Sequence, residues 1–360
     1  MAALPTSSPS ASAAAPLDPV RVAVIGTGSI SRRHVAGYRD AGAEVVAICD
    51  SHEAALERRG REWDVPRRYL DYHAMFQDGG FDAVSIAAPT AVHHPATLAA
   101  AAAGVHVLVE KPIALSLALA DEMIAACREA GVVLQVNHQL RSGGPARKAK
   151  ELLDAGAIGR VTYVRLRQAH DWAGLGVRPS FRTRASAGGG TLLDNGCHLM
   201  DLARFFGGRV EDVYARTATL QYDVELEDTA VVSLRFEDGA LGTVETAWTA
   251  TGWEQGFWVY GTEGALECTN RFGPEVLRHS YRASPGTTWG ETDVATYDFA
   301  GAGPHSRHVT AFLAAVRGEG PVACSGEDGR EAVRLVLAAY ESAAQARALP
   351  LRDGYTAGTS

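Results

Sequence analysis

Arg21-Val-Ala-Val-Ile25-Gly26-Thr27-Gly28-Ser29-Ile30-Ser31 is the stretch whose reading decides the fold of this 360-residue chain. A β-branched run ends in a glycine, a second glycine follows two residues on, and a helical pattern runs from Ser29 to Ala41. In a dinucleotide-binding turn the first glycine permits the tight bend and the second lets a pyrophosphate approach the backbone. The helix that follows offers free N–H groups and the positive end of its dipole to that anion, so Ser29 and Ile30 are expected to border it. Ser31 takes the third position, where a small residue lets the helix pack on the strand. Asp50 stands 24 residues after Gly26, at the end of the next apolar run, Val45 to Ile48. A carboxylate there accepts bonds from both adenosine ribose hydroxyls and repels a 2′-phosphate, which favours NAD over NADP. Nearby, Arg58 and Arg59 read as solvent-facing helix residues.

Outward from this turn the alternation continues. A charged helix spans His52 to Trp63, then come a strand Asp82 to Ala87, an Ala-rich helix His94 to Ala103, a strand Val105 to Val109, a helix Leu117 to Ala130 and a strand Val132 to Val136. Strands without polar alternation, separated by helices, imply an α/β fold: a doubly wound Rossmann sheet of parallel strands buried on both faces. Loops at the carboxyl ends of such strands border the ligand crevice. That places Ala88, Pro89 and Thr90 beside the cofactor, together with Glu110 and Lys111, while His93 fits a cofactor contact and a helix-start surface position equally.

Beyond about Arg141 the grammar changes. A helix Ala146 to Leu153 leads into long β-type runs, Arg160 to Gln168, Val210 to Leu220, Thr229 to Phe236, Leu241 to Trp248 and Phe257 to Tyr260. Several alternate apolar with polar residues, as in a half-exposed antiparallel or mixed sheet. Helices near Leu192–Phe206, His308–Val316 and Glu331–Arg347 are expected to cover one face of it. The expected organisation is a tail over 1–19, a nucleotide-binding domain over 20–140, an α+β substrate-binding and oligomerisation domain over 141–352, and a short tail over 353–360. The open sheet face would be the oligomer interface.

Composition removes other classes. With 46% hydrophobic and 21% charged residues the chain can bury a sizeable core. Its net charge of −8 argues against a nucleic-acid or anionic-membrane partner. No run approaches the roughly 20 apolar residues that span a bilayer. Residues 1–19 lack the basic and apolar regions of a secretory signal. Five cysteines without Cys-x-x-Cys spacing fit reduced thiols, so the expected location is cytoplasmic.

Of 34 basic residues only Lys111, Lys148 and Lys150 are lysine, leaving 34 − 3 = 31 arginines. A lysine retained over the cofactor crevice in such a chain suggests a role that guanidinium cannot fill, because an ammonium can exchange its proton. The second cluster is Gly188-Gly-Gly190-Thr-Leu-Leu-Asp194-Asn195-Gly196-Cys197-His198. One helix beginning at the glycines would set Asp194 and His198 four residues apart on one face, where the carboxylate could orient the imidazole and raise its pKa. A capping Asp and a first-turn His fit the segment equally well. Gly196 within the pattern suggests close approach of a backbone or ligand. With only two protein ligands in view, no metal is expected. Further substrate contacts are sought at His138, Arg141, Asp171, Trp172 and Arg182, the tryptophan offering a face to sugar C–H groups.

The glycine turn, Glu110-Lys111-Pro112, the Gly188-to-Asp201 cluster and the ending Asp328-Gly329, Ser342 and Pro350-Leu351 together resemble the Gfo/Idh/MocA family. The resemblance covers about residues 20–352. It implies a Rossmann domain, a C-terminal domain whose large open sheet forms homodimers or homotetramers, and hydride transfer between a nicotinamide cofactor and a sugar or polyol. Carried over by motif, Lys111, Asp194 and His198 become the polar triad around the reacting carbinol. Two other outcomes stay open on the same fold: an NAD-recycling, glycoside-cleaving enzyme, and a sugar- or cofactor-sensing protein without turnover.

Overall fold

The computed structural model describes residues 18–171, 183, 188–281, 293–351 and 355. Residues 21–136 form a parallel sheet of six strands in the order β3-β2-β1-β4-β5-β6. These are β1 (Arg21–Ile25), β2 (Glu44–Cys49), β3 (Arg67–Tyr69), β4 (Ala83–Ile86), β5 (His106–Val109) and β6 (Leu134–Val136). That order is the doubly wound arrangement with its crevice at the β1/β4 switch point. Helices α1 (Ser31–Asp40), α2 (Glu53–Glu62), α3 (Tyr72–Asp78), α4 (Thr90–Ala102) and α5 (Leu117–Glu129) connect the strands. β3 and α3 were not legible as periodic segments, because the strand is Arg-Arg-Tyr and all three residues are only half-buried.

After a 3-10 turn (Gln139–Ser142) and α6 (Gly144–Asp154), nine strands build the second sheet. In chain order they are β7 (Val161–Asp171), β8 (Val210–Ala218), β9 (Thr229–Phe236), β10 (Leu241–Ala247), β11 (Thr249–Gly261), β12 (Gly264–Thr269), β13 (Val276–Tyr281), β14 (Asp293–Asp298) and β15 (Leu349–Pro350). All named pairs are antiparallel except β7 with β10. The alternation of β9, inward Ala230, Val232, Leu234 and Phe236 against outward Val231, Ser233 and Arg235, is the expected half-exposed pattern. The expected single helix from the glycine run is instead two, α7 (Thr191–Asp194) and α8 (Gly196–Gly207), broken at Asn195.

The two remaining helices correct a second expectation. α9 (Pro304–Val316) does not cover the second sheet. Its Val309, Phe312 and Leu313 join Val20, Val22, Val35 and Tyr38 in a core under the first sheet, with Val309 seated against Gly37 of α1. α10 (Gly326–Gln345) straddles both cores, giving Val333 to the first and Leu335, Val336, Ala338 and Ala339 to the second. Apolar residues at helical spacing say that a helix is half-buried, but not against which sheet.

His308 fixes α9 beside the end of β6: Nδ1 lies 2.8 Å from the Ser142 hydroxyl and Nε2 lies 2.9 Å from the Val136 carbonyl. Burial pushes its pKa down to about 3. In the unfolded chain the same imidazole takes up a proton near pH 6.5. Between those limits the unfolded state holds the extra proton, so stability is complete above about pH 6.5 and declines as pH falls. Lowering pH from 7.5 to 5 is expected to cost about 2 kcal/mol from this residue alone, read as a drop in the urea midpoint. His308→Gln is expected to flatten that dependence; an unchanged slope would show that the imidazole is protonated in the fold.

Candidate active site

The glycine turn is built as its sequence requires. Gly26 has φ +92°, and a Cβ there would stand 2.4 Å from the Ala87 carbonyl oxygen. A Cβ on Gly28 would meet open space. The Ser31 hydroxyl donates to the Gly26 carbonyl (2.7 Å), so the third position closes the turn as well as packing it. No side chain caps the first turn of α1, and Ser29 and Ile30 line the cleft beyond it. Uncapped N–H groups at a helix N-terminus, with nothing standing over Gly28, fit a pyrophosphate. Asp50 stands beside this turn with one oxygen accepting from the Thr27 N–H and hydroxyl (both 2.7 Å) and the other from the His52 N–H (2.8 Å). The carboxylate is thus fixed in place and half-buried, where an adenosine ribose would reach it.

Arg58 is exposed as expected, but Arg59 is not. Its Nε donates to the Thr27 carbonyl (3.3 Å), its guanidinium pairs with Glu62, and its Cζ lies 5.6 Å from the Trp63 ring centre. It braces the glycine turn. His93 and Arg141 also differ from the sequence reading. His93 is buried between the carbonyls of Pro112 (2.9 Å) and Ala88 (3.0 Å), so it ties the loop Ala88-Pro89-Thr90 to the loop after β5 and does not line the cleft. Arg141 is buried against Asp201, Asp328 and the Ala323 carbonyl, its guanidinium committed within the protein. His138 is wholly buried beneath His198, the two rings edge to face with centres 5.4 Å apart. Asp171 ends β7 at the cleft, while Trp172 and Arg182 lie outside the described residues.

Lys111 follows β5, and the next peptide, Lys111–Pro112, is cis. Its Nζ donates to Asp194 Oδ1 (2.8 Å) and to the Asp194 carbonyl (2.9 Å). That second bond exists because of the helix break. The His198 N–H turns to the Asn195 carbonyl (3.2 Å), which leaves the Asp194 carbonyl to Lys111 and the Cys197 thiol. Asp194 therefore orients Lys111 and not His198, a correction to the expected carboxylate–imidazole pair. Gly196 admits the Leu192 side chain, which would stand 2.7 Å from a Cβ, and not a backbone or ligand. The glycine at 190 is required by Glu227, whose carbonyl would lie 2.0 Å from a Cβ there. The Glu227 carboxylate accepts from the N–H groups of Gly190 (3.1 Å) and Leu192 (3.0 Å), opening α7.

Electrostatics follow from this placement. Burial alone would lower the pKa of Lys111, but the negative groups around it, Asp194 foremost with Glu110 behind, together outweigh burial and the amine is held protonated. His198 is only 5% exposed; burial first, and the Lys111 charge second, push its pKa well below 6.5, opposite to the expected rise. Its Nδ1 is buried with no hydrogen-bond partner among the described residues. A fixed cation and a neutral imidazole thus face one cleft of about 1030 Å³, lined also by Ser29, Ile30, Asp171 and Asp194.

A buried network unseen in the sequence sits under the lysine. The Glu110 carboxylate accepts from His34 Nε2 (2.7 Å) and the Asn137 amide, while the Ser85 hydroxyl lies 2.6 Å from His34 Nδ1. Burial raises the Glu110 pKa, but His34, Lys111 and Asn137 together bring it down to about 2. Glu110 is therefore a buried anion whose second oxygen accepts from the Lys111 N–H (3.2 Å), and His34 carries this brace to α1, the helix after the glycine turn. Only the Glu-Lys dipeptide hinted at it.

Residues 20–138 match the family described as "Oxidoreductase family, NAD-binding Rossmann fold", and residues 146–267 match "GFO/IDH/MocA C-terminal domain". The chain is 31% identical to a 1,5-anhydro-D-fructose reductase of Ensifer adhaerens, over 93% of this chain and 99% of the relative. It is 30% identical to a myo-inositol 2-dehydrogenase of Thermotoga maritima, with the same two coverages of 93% and 99%. In fold it is similar to a levoglucosan dehydrogenase solved with NADH and levoglucosan, with TM-score 0.85 and 23% identity over 93% of this chain and 100% of that one.

His34→Ala would leave the buried Glu110 carboxylate short of a partner. The expected cost is about 1–3 kcal/mol in urea denaturation, with weaker NAD binding because α1 loses its tie to the lysine loop. Unchanged values of both would show that the network braces nothing.

Proposed function

The chain belongs to the Gfo/Idh/MocA family of NAD-dependent oxidoreductases, and we propose that it transfers hydride between a secondary hydroxyl of a neutral sugar or cyclitol and NAD. The observation that carries this reading is the cleft itself, where a protonated Lys111 and a neutral His198 stand together beside the uncapped end of α1. NAD, when bound, supplies the hydride acceptor for alcohol oxidation. Gly26, Gly28, Ser29 and Ile30 would hold its pyrophosphate, and Asp50 its adenosine ribose.

The chain's own groups then manage one proton and one developing charge. His198, neutral before reaction, takes the hydroxyl proton as general base and returns it in the reverse direction. Lys111 cannot serve as that base while Asp194 holds it protonated; it steadies the charge growing on the alkoxide oxygen. Asp194, bonded to Lys111 through both carboxylate and carbonyl, keeps the ammonium aimed at that point. The outward face of the second sheet carries exposed Val231, Leu241 and Tyr260, and Arg165 stacked 4.8 Å from the Trp258 ring centre. This mixed apolar and charged surface, with Arg165 paired to Glu245, supports self-association of the chain through that face.

A screen of NAD and NADP against polyols, monosaccharides, anhydrosugars and glycosides tests the reaction. NADH accumulation with a sugar or cyclitol, and at least about tenfold preference for NAD, are expected from the Asp50 carboxylate. Release of aglycone without net NADH would identify glycoside cleavage instead. His198→Ala is expected to lower kcat by about 10²–10⁴ and to abolish the acid limb of the kcat/KM profile, which in the wild type should lie below pH 6.5. Lys111→Arg is expected not to restore activity to a Lys111→Ala enzyme, since guanidinium cannot occupy the paired carboxylate and carbonyl as a point charge does.

A further inference from the structure

β7 and β11 run side by side, and their inward-facing rows change character at the same end. On β7 the row is Val164, Leu166, Gln168 and His170; on β11 the facing row is Val259, Phe257, Gln255 and Trp253. Val164, Leu166, Phe257 and Val259 belong to the core of the second sheet. The next two rungs line the cleft. Side chains on one face of a strand pair are fixed neighbours, so this switch from aliphatic to polar and aromatic marks where the core ends and a binding surface begins.

Each of these rungs is a made contact. The Gln168 amide nitrogen donates to Gln255 Oε1 (2.9 Å). Gln168 is 4% exposed, yet its own Oε1 has no hydrogen-bond partner among the described residues. Whichever way that amide is turned, one of its two polar atoms is paired with Gln255 and the other is left over at the cleft. His170 and Trp253 stack in parallel, ring centres 4.8 Å apart and planes 5° apart. The imidazole is fixed from behind by the Asn195 side chain (3.0 Å to the amide nitrogen), at the same helix break that aims Lys111. Trp253 remains 56% exposed. It is delivered there by a bulge: Thr249 pairs with Asp171 and Trp253 with His170, and the extra residues between them include Gly252 at φ +79°. An aromatic this large, held rigid and left half open on a cleft wall, is costly unless something covers it.

With hydride transfer at Lys111 and His198 as its basis, we infer that Gln168, His170, Trp253 and Gln255 form the ring-binding subsite, made for an uncharged sugar or cyclitol ring and against a sugar acid. The open face of Trp253 covers the apolar C–H face of the ring, and the Gln168–Gln255 amides take its hydroxyls. None of the four side chains offers a cation to a carboxylate, because burial lowers the pKa of His170 and keeps it neutral. A sugar acid would bring a charge here with no counter-charge on this wall.

Binding is measured on the NADH-loaded protein, by calorimetry and tryptophan fluorescence, with glucose, galactose, xylose and myo-inositol against glucuronate and galacturonate. A neutral ring is expected to bind at least about tenfold tighter than its acid. Trp253→Phe should keep that affinity but lose the fluorescence change, whereas Trp63→Phe, in the core of the first sheet and outside the cleft lining, should lose neither. Trp253→Ala should weaken sugar binding about tenfold and raise KM alike, with kcat and NADH affinity nearly unchanged. A fluorescence change that survives in Trp253→Phe, an unchanged affinity in Trp253→Ala, or tighter binding of the acids would overturn the subsite while leaving the reaction standing. Absence of binding by every sugar and cyclitol, with NADH still held, would overturn the reaction reading and the subsite together.

Discussion

Lys111 leaves the end of a parallel strand in one sheet and lands on Asp194 at a helix break beneath the other, touching both its carboxylate and its carbonyl. An ammonium half-buried in a cleft wall is steadied by such a partner, and the partner in turn fixes where the charge sits. The arrangement also reinforces the state of its neighbour: burial already favours a neutral His198, and a fixed cation beside it adds to that preference. One contact thereby joins the two halves of the molecule, aims the cation and leaves a neutral imidazole beside it.

The surrounding structure keeps that contact from drifting. Glu110, Asn137 and His34 anchor the lysine loop from below and connect it to α1, the helix that follows the glycine turn. Arg141 joins Asp201 of α8 to Asp328 of α10, so the helix carrying His198 is bound to the helix that straddles both cores. Fully partnered buried networks of this kind rigidify a site, and losing one member exposes the rest to an uncompensated desolvation cost. α9 closes the cleft from the far side by packing on α1, which explains why a C-terminal helix belongs to the N-terminal core.

Sequence patterns carried the first sheet well because its grammar is local. A glycine turn after a β-branched strand, with an acid at the end of the next strand, is read within thirty residues, and Asp50 and the turn stand where that reading puts them. The second sheet was legible where strands alternate, as in β9, and illegible in β12 to β14, whose short mixed runs carry little period. At the site, Lys111, Asp194 and His198 were recognised as a set, but their pairing was not, because the helix break at Asn195 is a tertiary outcome. His34 and Asn137 are ordinary residues in sequence whose meaning comes only from meeting Glu110, 76 and 27 residues away along the chain. The row Val164, Leu166, Gln168, His170 did carry a signal: a period of two whose inward positions turn polar before the strand ends.

Burial and, after it, the Lys111 charge hold His198 neutral, and a titration of that imidazole tests this most directly. With ring-labelled histidine and His198→Gln for assignment, NMR should place the His198 pKa well below 6.5 in the resting protein and move it upward in Lys111→Met, where the neighbouring charge is gone. A resonance that titrates at or above 6.5 in the wild type, and does not respond to loss of Lys111, would contradict it.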